Sequence, residues 1–201
     1  MYDIVVYDTT IQQNEIKKYI FDIINLIKEC FNFSFDPSCF YDSIITCEYV
    51  FIAFDNENPI GIAFTRNETV KLFDTKKHTY TYIENCDDEI QNANHISLYP
   101  IISTLCRKSD ISYKGTGNAI LQYIFEYYKN KDIEYIYLLP QSVREQEKIA
   151  STEYYLSNQK LINYYESIGF KIIDGYYGIN ECIPCKGYIF LNVMKKKINN
   201  D

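Results

Sequence analysis

The chain has 201 residues, enough for one domain with a full hydrophobic core. Its 47% hydrophobic content excludes a disordered chain, and 21 Tyr and 12 Phe against no Trp point to an aromatic interior studded with hydroxyls. The net charge of −7 argues against nucleic-acid binding, which draws its affinity from Lys and Arg on phosphates, and suits a cationic amine ligand better.

Residues 2–7 (YDIVVY) read as a short strand, with acidic residues where a secretory signal would have basic ones. No apolar run reaches the roughly 20 residues of a membrane span, so the expectation is a soluble, cytoplasmic protein without a membrane partner. Ile16, Ile20, Ile23, Ile24 and Ile27 then recur at helical spacing within 12–30, and a second helix is expected near Pro37 with Asp36 as its cap. Residues 48–55 and 59–66 flank the polar Asn56-Glu57-Asn58 and predict an antiparallel hairpin.

From Asn67 to about Asn94 the chain turns polar and reads as an insertion, with one short strand near Thr79–Ile83. Residues 95–107 (HISLYPIISTLCR) form the longest strand candidate. After "KSDISYKGTG", the residues Ile120, Leu121, Ile124, Phe125 and Tyr128 predict a helix that runs to Asn130. "IEYIYLL" at 133–139, stopped by Pro140, reads as a buried parallel strand, so the glycines lie at the strand-to-helix turn of a βαβ unit. A polar, Glu-rich stretch at 141–157 is a second insertion, followed by a helix over 158–168 closed by Gly169. Strands at 170–178 and 187–194 follow, and Lys195-Lys196-Lys197 reads as part of a solvated chain end, with 196–201 as the tail of a single domain over 1–201.

The seven cysteines are odd in number and scattered, unlike a disulfide framework, and most read as small buried hydrophobes. Cys182 and Cys185 alone have metal-like spacing, but zinc needs two more ligands and His78 and His95 are far off in sequence, so no metal is expected.

A glycine turn at a helix start offers unpaired N–H groups and partial positive charge, which together make an anion site. The spacing fails the P-loop, since Asn118 follows Gly117, and fits a dinucleotide fingerprint poorly, since Ile120 stands where a small residue belongs. Ser112-Tyr113-Lys114-Gly115-Thr116-Gly117 resembles instead the [RQ]xxGx[GA] pyrophosphate loop of the GNAT acyl-CoA-dependent N-acetyltransferases. Asn158 to Phe170 (NQKLINYYESIGF) resembles the family's NxxAxxxYxxxGF signature, in the order the family places it.

The resemblance implies an α/β fold with a central, mixed but mostly antiparallel sheet of about seven strands, flanked by helices, whose fourth and fifth strands splay to bind CoA. It implies one domain, acetyl-CoA as co-substrate, an amine acceptor, and a dimer as one possible assembly. Backbone N–H groups of Tyr113, Lys114, Gly115, Thr116, Gly117 and Asn118 would cradle the pyrophosphate, with Ser112 where the family has Arg or Gln. Leu105, Cys106 and Arg107 would run along the pantetheine, one N–H near Cys106 or Arg107 meeting the oxyanion. Cys106 reads as a buried structural thiol, the rival being an acyl-enzyme nucleophile without a histidine to activate it. Tyr165 would protonate the departing thiolate, its rival role being core packing, and Asn158 would contact the pantetheine arm or cap its helix. For the base, His95, Tyr99 and Ser103 remain the polar choices on the strand. The rival to an enzyme is a degenerate member that binds CoA or a partner protein without transfer.

Overall fold

The computed structural model describes residues 2–31, 41, 44–74, 83–84, 94–140, 152–182 and 187–199. The strands are β1 (Asp3–Asp8), β2 (Tyr49–Asp55), β3 (Asn58–Asp74), β4 (Ile83–Glu84), β5 (Asn94–Arg107), β6 (Tyr135–Leu138), β7 (Lys171–Cys182) and β8 (Gly187–Lys197). The helices are α1 (Gln13–Lys17), α2 (Ile20–Phe31), α3 (Thr116–Lys129) and α4 (Thr152–Ser167). Strand neighbours follow the order β1-β2-β3-β5-β6-β8-β4, with β7 on β8 and on the end of β3. This is the mixed, mostly antiparallel sheet expected, and among the described residues it has eight strands, β4 being only two residues long.

Packing divides the chain into two compact units, which β3 and β5 both pass through. The first holds the chain to Asn67, Ile102–Glu134 and the residues from Ile198. Here β1 and β2 pair antiparallel from Asp3↔Phe54 to Asp8↔Tyr49, and β2 pairs antiparallel with β3 around the two-residue turn Asn56-Glu57. Asn56 takes a positive φ of 55°, which asparagine tolerates better than most residues. The apolar faces of α1 and α2 (Ile16, Ile20, Ile23, Ile27) pack with Ile52, Ile62 and Phe64 into one core.

The single helix expected over 12–30 is two. Lys18 and Tyr19 donate back to Glu15 and Ile16 at 3.2 and 2.9 Å, three residues behind, which tightens and ends α1. Ile16 and Ile20 are buried on either side of the break, so the apolar period carries across it and hides it from the sequence.

The second unit holds Glu68–Ile101 and Tyr135–Lys197. β8 is its axis, pairing antiparallel with β4, β6 and β7, while Leu98, Ile101 and Val193 form a core with Ile96, Tyr137, Leu139 and Ile173 packed against it. Two expectations fail here. β3 continues past Asn67 to Asp74, because a partner distant in sequence pairs with it through Leu72↔Gly178 to Asp74↔Tyr176. Lys195-Lys196-Lys197 is not a tail: the run closes β8, with Tyr135↔Lys197 and Tyr137↔Lys195 in register on β6. The ammonium of Lys195 lies 4.8 Å from the Tyr135 ring centre, and Lys196 donates to the Ile168 carbonyl at 2.7 Å. Ile198 beyond it is buried and donates its N–H to the Glu134 carbonyl at 2.9 Å.

α4 starts at Thr152, six residues before the expected 158. Asp36, Pro37, residues 79–82 of the expected short strand, His78, Cys185 and 141–151 lie outside the described residues. Among the described residues no helix is long and apolar enough to cross a membrane, and no group of three His, Cys, Asp or Glu side chains is placed to hold a metal.

Candidate active site

In the first unit the polypeptide leaves β5 through Leu105, Cys106 and Arg107 and reaches α3 along a loop held from three directions. Lys108 N–H donates to the Ile60 carbonyl of β3 at 2.8 Å. The Glu29 carboxylate, in the last turn of α2, accepts from the Ser109 N–H at 3.0 Å and from its hydroxyl at 2.7 Å. These two bonds, the N–H first, hold the Glu29 carboxyl below its ordinary range. The Tyr113 hydroxyl donates to Asp55 at the hairpin turn, 3.1 Å away.

Asp110 caps the short 3-10 turn Ile111–Tyr113 by accepting from the Ser112 N–H at 2.8 Å and hydroxyl at 2.7 Å, which lowers its own pKa. Ser112, where the family pattern has a long side chain, therefore orders the loop locally. Thr116 is buried, its hydroxyl donating to the Tyr113 carbonyl at 2.8 Å.

Gly115 stands at the N-cap of α3 with φ 96°, a left-handed conformation glycine adopts without strain. No side chain caps this helix start, and helical geometry leaves the first-turn N–H groups of Thr116, Gly117 and Asn118 without intrahelical acceptors. A Cβ built on Gly115 or Gly117 would meet nothing within 4 Å, so an anion has open access to those donors. Exposed Lys114 precedes them.

The helix is held down from behind. Ile120, Leu121, Ile124, Phe125 and Tyr128 are buried as the spacing predicts, and the Tyr128 hydroxyl lies 2.6 Å from that of Thr65. Gly61 of β3 makes the close approach possible: a Cβ there would sit 2.8 Å from the Thr116 methyl and 2.9 Å from Ile120.

Cys106 is buried, as expected, but it is not a free thiol. It is disulfide-bonded to Cys30 of α2, 76 residues away in sequence, with Cα atoms 6.0 Å apart. That pairing removes it as a nucleophile in this state. Cys47 fits the small-hydrophobe reading, since burial pushes its thiol up to about 12. Leu105 and Arg107 are half-buried, and the Arg107 guanidinium donates to the Lys108 carbonyl at 2.6 Å.

In the second unit Asn158 and Tyr165 lie on α4, seven residues or about two turns apart. Tyr165 is half-buried beside Tyr164 and Phe170, ring centres 5.2 and 5.8 Å away. Burial, and then the neighbouring Tyr164, push its phenol up to about 12, so it stays protonated at neutral pH. Of the residues considered as a base, His95 and Tyr99 belong to the second unit and Ser103 to the first, where it is exposed and donates to the Phe64 carbonyl at 3.5 Å.

Glu29, Asp55, Asp110 and Gly61 are loop-holding residues that sequence reasoning missed. Asp110 had a local signal, the Asp-x-Ser spacing of a side-chain-capped turn. The others act across the fold and leave no mark in the sequence.

No protein-family model matches the sequence, and neither does any curated protein compared with it. Solved structures do match over essentially the whole chain. An N-acetyltransferase from Staphylococcus aureus Mu50 is 14% identical with a TM-score of 0.58, the match covering 100% of this chain and 99% of that one. The aminoglycoside 6'-N-acetyltransferase from Enterococcus faecium is 12% identical with a TM-score of 0.57, covering 99% and 98%. The ribosomal-protein-S18-alanine N-acetyltransferase from Escherichia coli is 14% identical with a TM-score of 0.56, covering 100% and 96%. The sheet order, the glycine turn that opens α3 and these similarities agree: the chain has the GNAT fold.

Proposed function

We propose that the protein is an N-acetyltransferase that moves an acetyl group from acetyl-CoA to an amine. The observation that carries this reading is the start of α3, where uncapped N–H groups stand beside two glycines that open onto free space. Such a surface suits a diphosphate, with the helix dipole and Lys114 adding favourable charge.

In this reading the backbone of Leu105, Cys106 and Arg107 lies along the pantetheine, and an N–H near Cys106 or Arg107 stabilises the oxyanion. Asn158 is assigned to the pantetheine arm. The neutral amine attacks the thioester carbon, the new C–N bond forms, and the C–S bond breaks. Tyr165 gives its proton to the thiolate, the amine's surplus proton leaves to solvent, and the Tyr165 phenolate regains a proton from solvent. A phenol carries its proton at neutral pH, so Tyr165 has one to donate when the thiolate forms.

For the acceptor, the net charge of −7 favours a cationic amine such as a polyamine, a lysine side chain or a protein N-terminus. Two of the similar structures are named for an aminoglycoside and for an alanine of a ribosomal protein, which are amines as well. A second reading, CoA binding without transfer, draws support from Ser112, whose short side chain is occupied by Asp110.

Calorimetric titration with acetyl-CoA tests the binding half directly. Saturable one-to-one binding that is lost in Gly117→Asp, which puts a carboxylate at the helix start, supports the reading. Absence of binding to the unaltered protein refutes both forms of it.

A further inference from the structure

We propose that the last turn of α2 is a redox-controlled buttress of the nucleotide loop, an inference that rests on reading that loop as the acyl-CoA site. Two adjacent residues of this turn reach the same stretch of chain. Cys30 is bonded to Cys106 at the end of β5, and Glu29 binds Ser109 three residues further on. Gly115 follows six residues later.

The two tethers differ in strength. Glu29 and Ser109 are exposed, so their hydrogen bonds compete with water and hold the loop weakly alone. The disulfide fixes the helix end covalently and keeps Glu29 in reach of Ser109. When it is opened, more of the loop's ordering falls on the binding event, and affinity drops accordingly.

The bond is also placed for exchange. Cys30 is partly exposed while Cys106 is buried, so a small thiol or disulfide meets the Cys30 sulfur first. Cys47, buried and with its thiol pushed up to about 12, stays inert under the same reagents. In the oxidising direction, the Cys30 thiolate attacks a low-molecular-weight disulfide, forming a mixed disulfide and releasing one thiolate. The Cys106 thiolate then attacks the Cys30 sulfur, the intramolecular bond forms and the second thiolate leaves. Two electrons pass from the cysteine pair to the small disulfide, which ends as two thiols.

The test compares full-length protein equilibrated with glutathione disulfide and with dithiothreitol, the state of Cys30 and Cys106 being read by alkylation and peptide mass spectrometry. The expected result is at least about fivefold weaker acetyl-CoA binding in the reduced form, the low end of ordinary coupling between sites. Cys30→Ser should match the reduced form in both buffers, and Glu29→Ala should bind more weakly than the oxidised protein. Amide exchange over residues 105–118 is measured alongside without ligand, and should be faster in the reduced form. Equal exchange and equal affinity in the two states, or no Cys30–Cys106 peptide under oxidation, overturns the proposal. Faster exchange on reduction in a protein that binds no acetyl-CoA in either state would keep the buttress and refute the acyl-CoA reading.

Discussion

The Tyr113 hydroxyl donates to the Asp55 carboxylate 3.1 Å away, tying the loop that opens α3 to the turn of the β2–β3 hairpin. The bond joins positions 58 residues apart and fixes the start of the segment that resembles a pyrophosphate cradle. Tyr113→Phe removes the tie while keeping the ring. Its expected effect is acetyl-CoA binding weaker by about threefold, the scale of one modest hydrogen bond, with the melting temperature nearly unchanged. Calorimetry on the two proteins checks it.

The three glycines around α3 separate by what lies next to them. Gly61→Ala pushes a methyl to within 2.8 Å of Thr116 and 2.9 Å of Ile120, and is expected to cost about 1–3 kcal/mol in urea unfolding. Gly115→Ala forces a Cβ into φ 96° and is expected to cost about 1–2 kcal/mol without any clash. Gly117→Ala meets nothing within 4 Å and should leave unfolding close to the parent while weakening acetyl-CoA binding, because its methyl enters the space an anion would use.

Tyr165 makes two separable predictions. Tyr165→Phe should lower turnover by about 10²-fold, the low end for a lost general acid, with little change in acetyl-CoA affinity. Its phenol is raised in the folded protein from 10.0 to about 12, so the native state holds the proton more tightly than the unfolded chain does. The associated stability is fully present below pH 10 and is lost as pH rises towards 12. Unfolding free energies measured between these limits should fall more steeply for the parent than for Tyr165→Phe.

Lys196 stands where a free tail was expected, yet its ammonium donates to the Ile168 carbonyl just beyond the end of α4. A cation there satisfies a terminal carbonyl and opposes the negative end of the helix dipole. Lys196→Ala should destabilise the protein by about 1 kcal/mol in urea unfolding. A genuine tail lysine would change nothing.

How far the fold could be read from the chain depended on how local its causes are. The α3 stripe of Ile120, Leu121, Ile124, Phe125 and Tyr128 and the β2–β3 hairpin were legible, because spacing and turn chemistry fix them within a few residues. The end of β3 was not, since Leu72–Asp74 pair with β7, more than 100 residues further on. The same divide runs through the site. The glycines and the Asp110–Ser112 turn are marked in the sequence, whereas Glu29, Asp55 and the Cys30–Cys106 bond are brought to the loop by folding.

Acetyl transfer is tested by release of free CoA from acetyl-CoA, followed with a thiol reagent across a panel of polyamines, lysine peptides and peptide N-termini. The expected result is amine-dependent thiol release by the parent protein that Gly117→Asp abolishes and Tyr165→Phe reduces. Tight acetyl-CoA binding with no release for any amine would contradict transfer and leave a CoA-binding module.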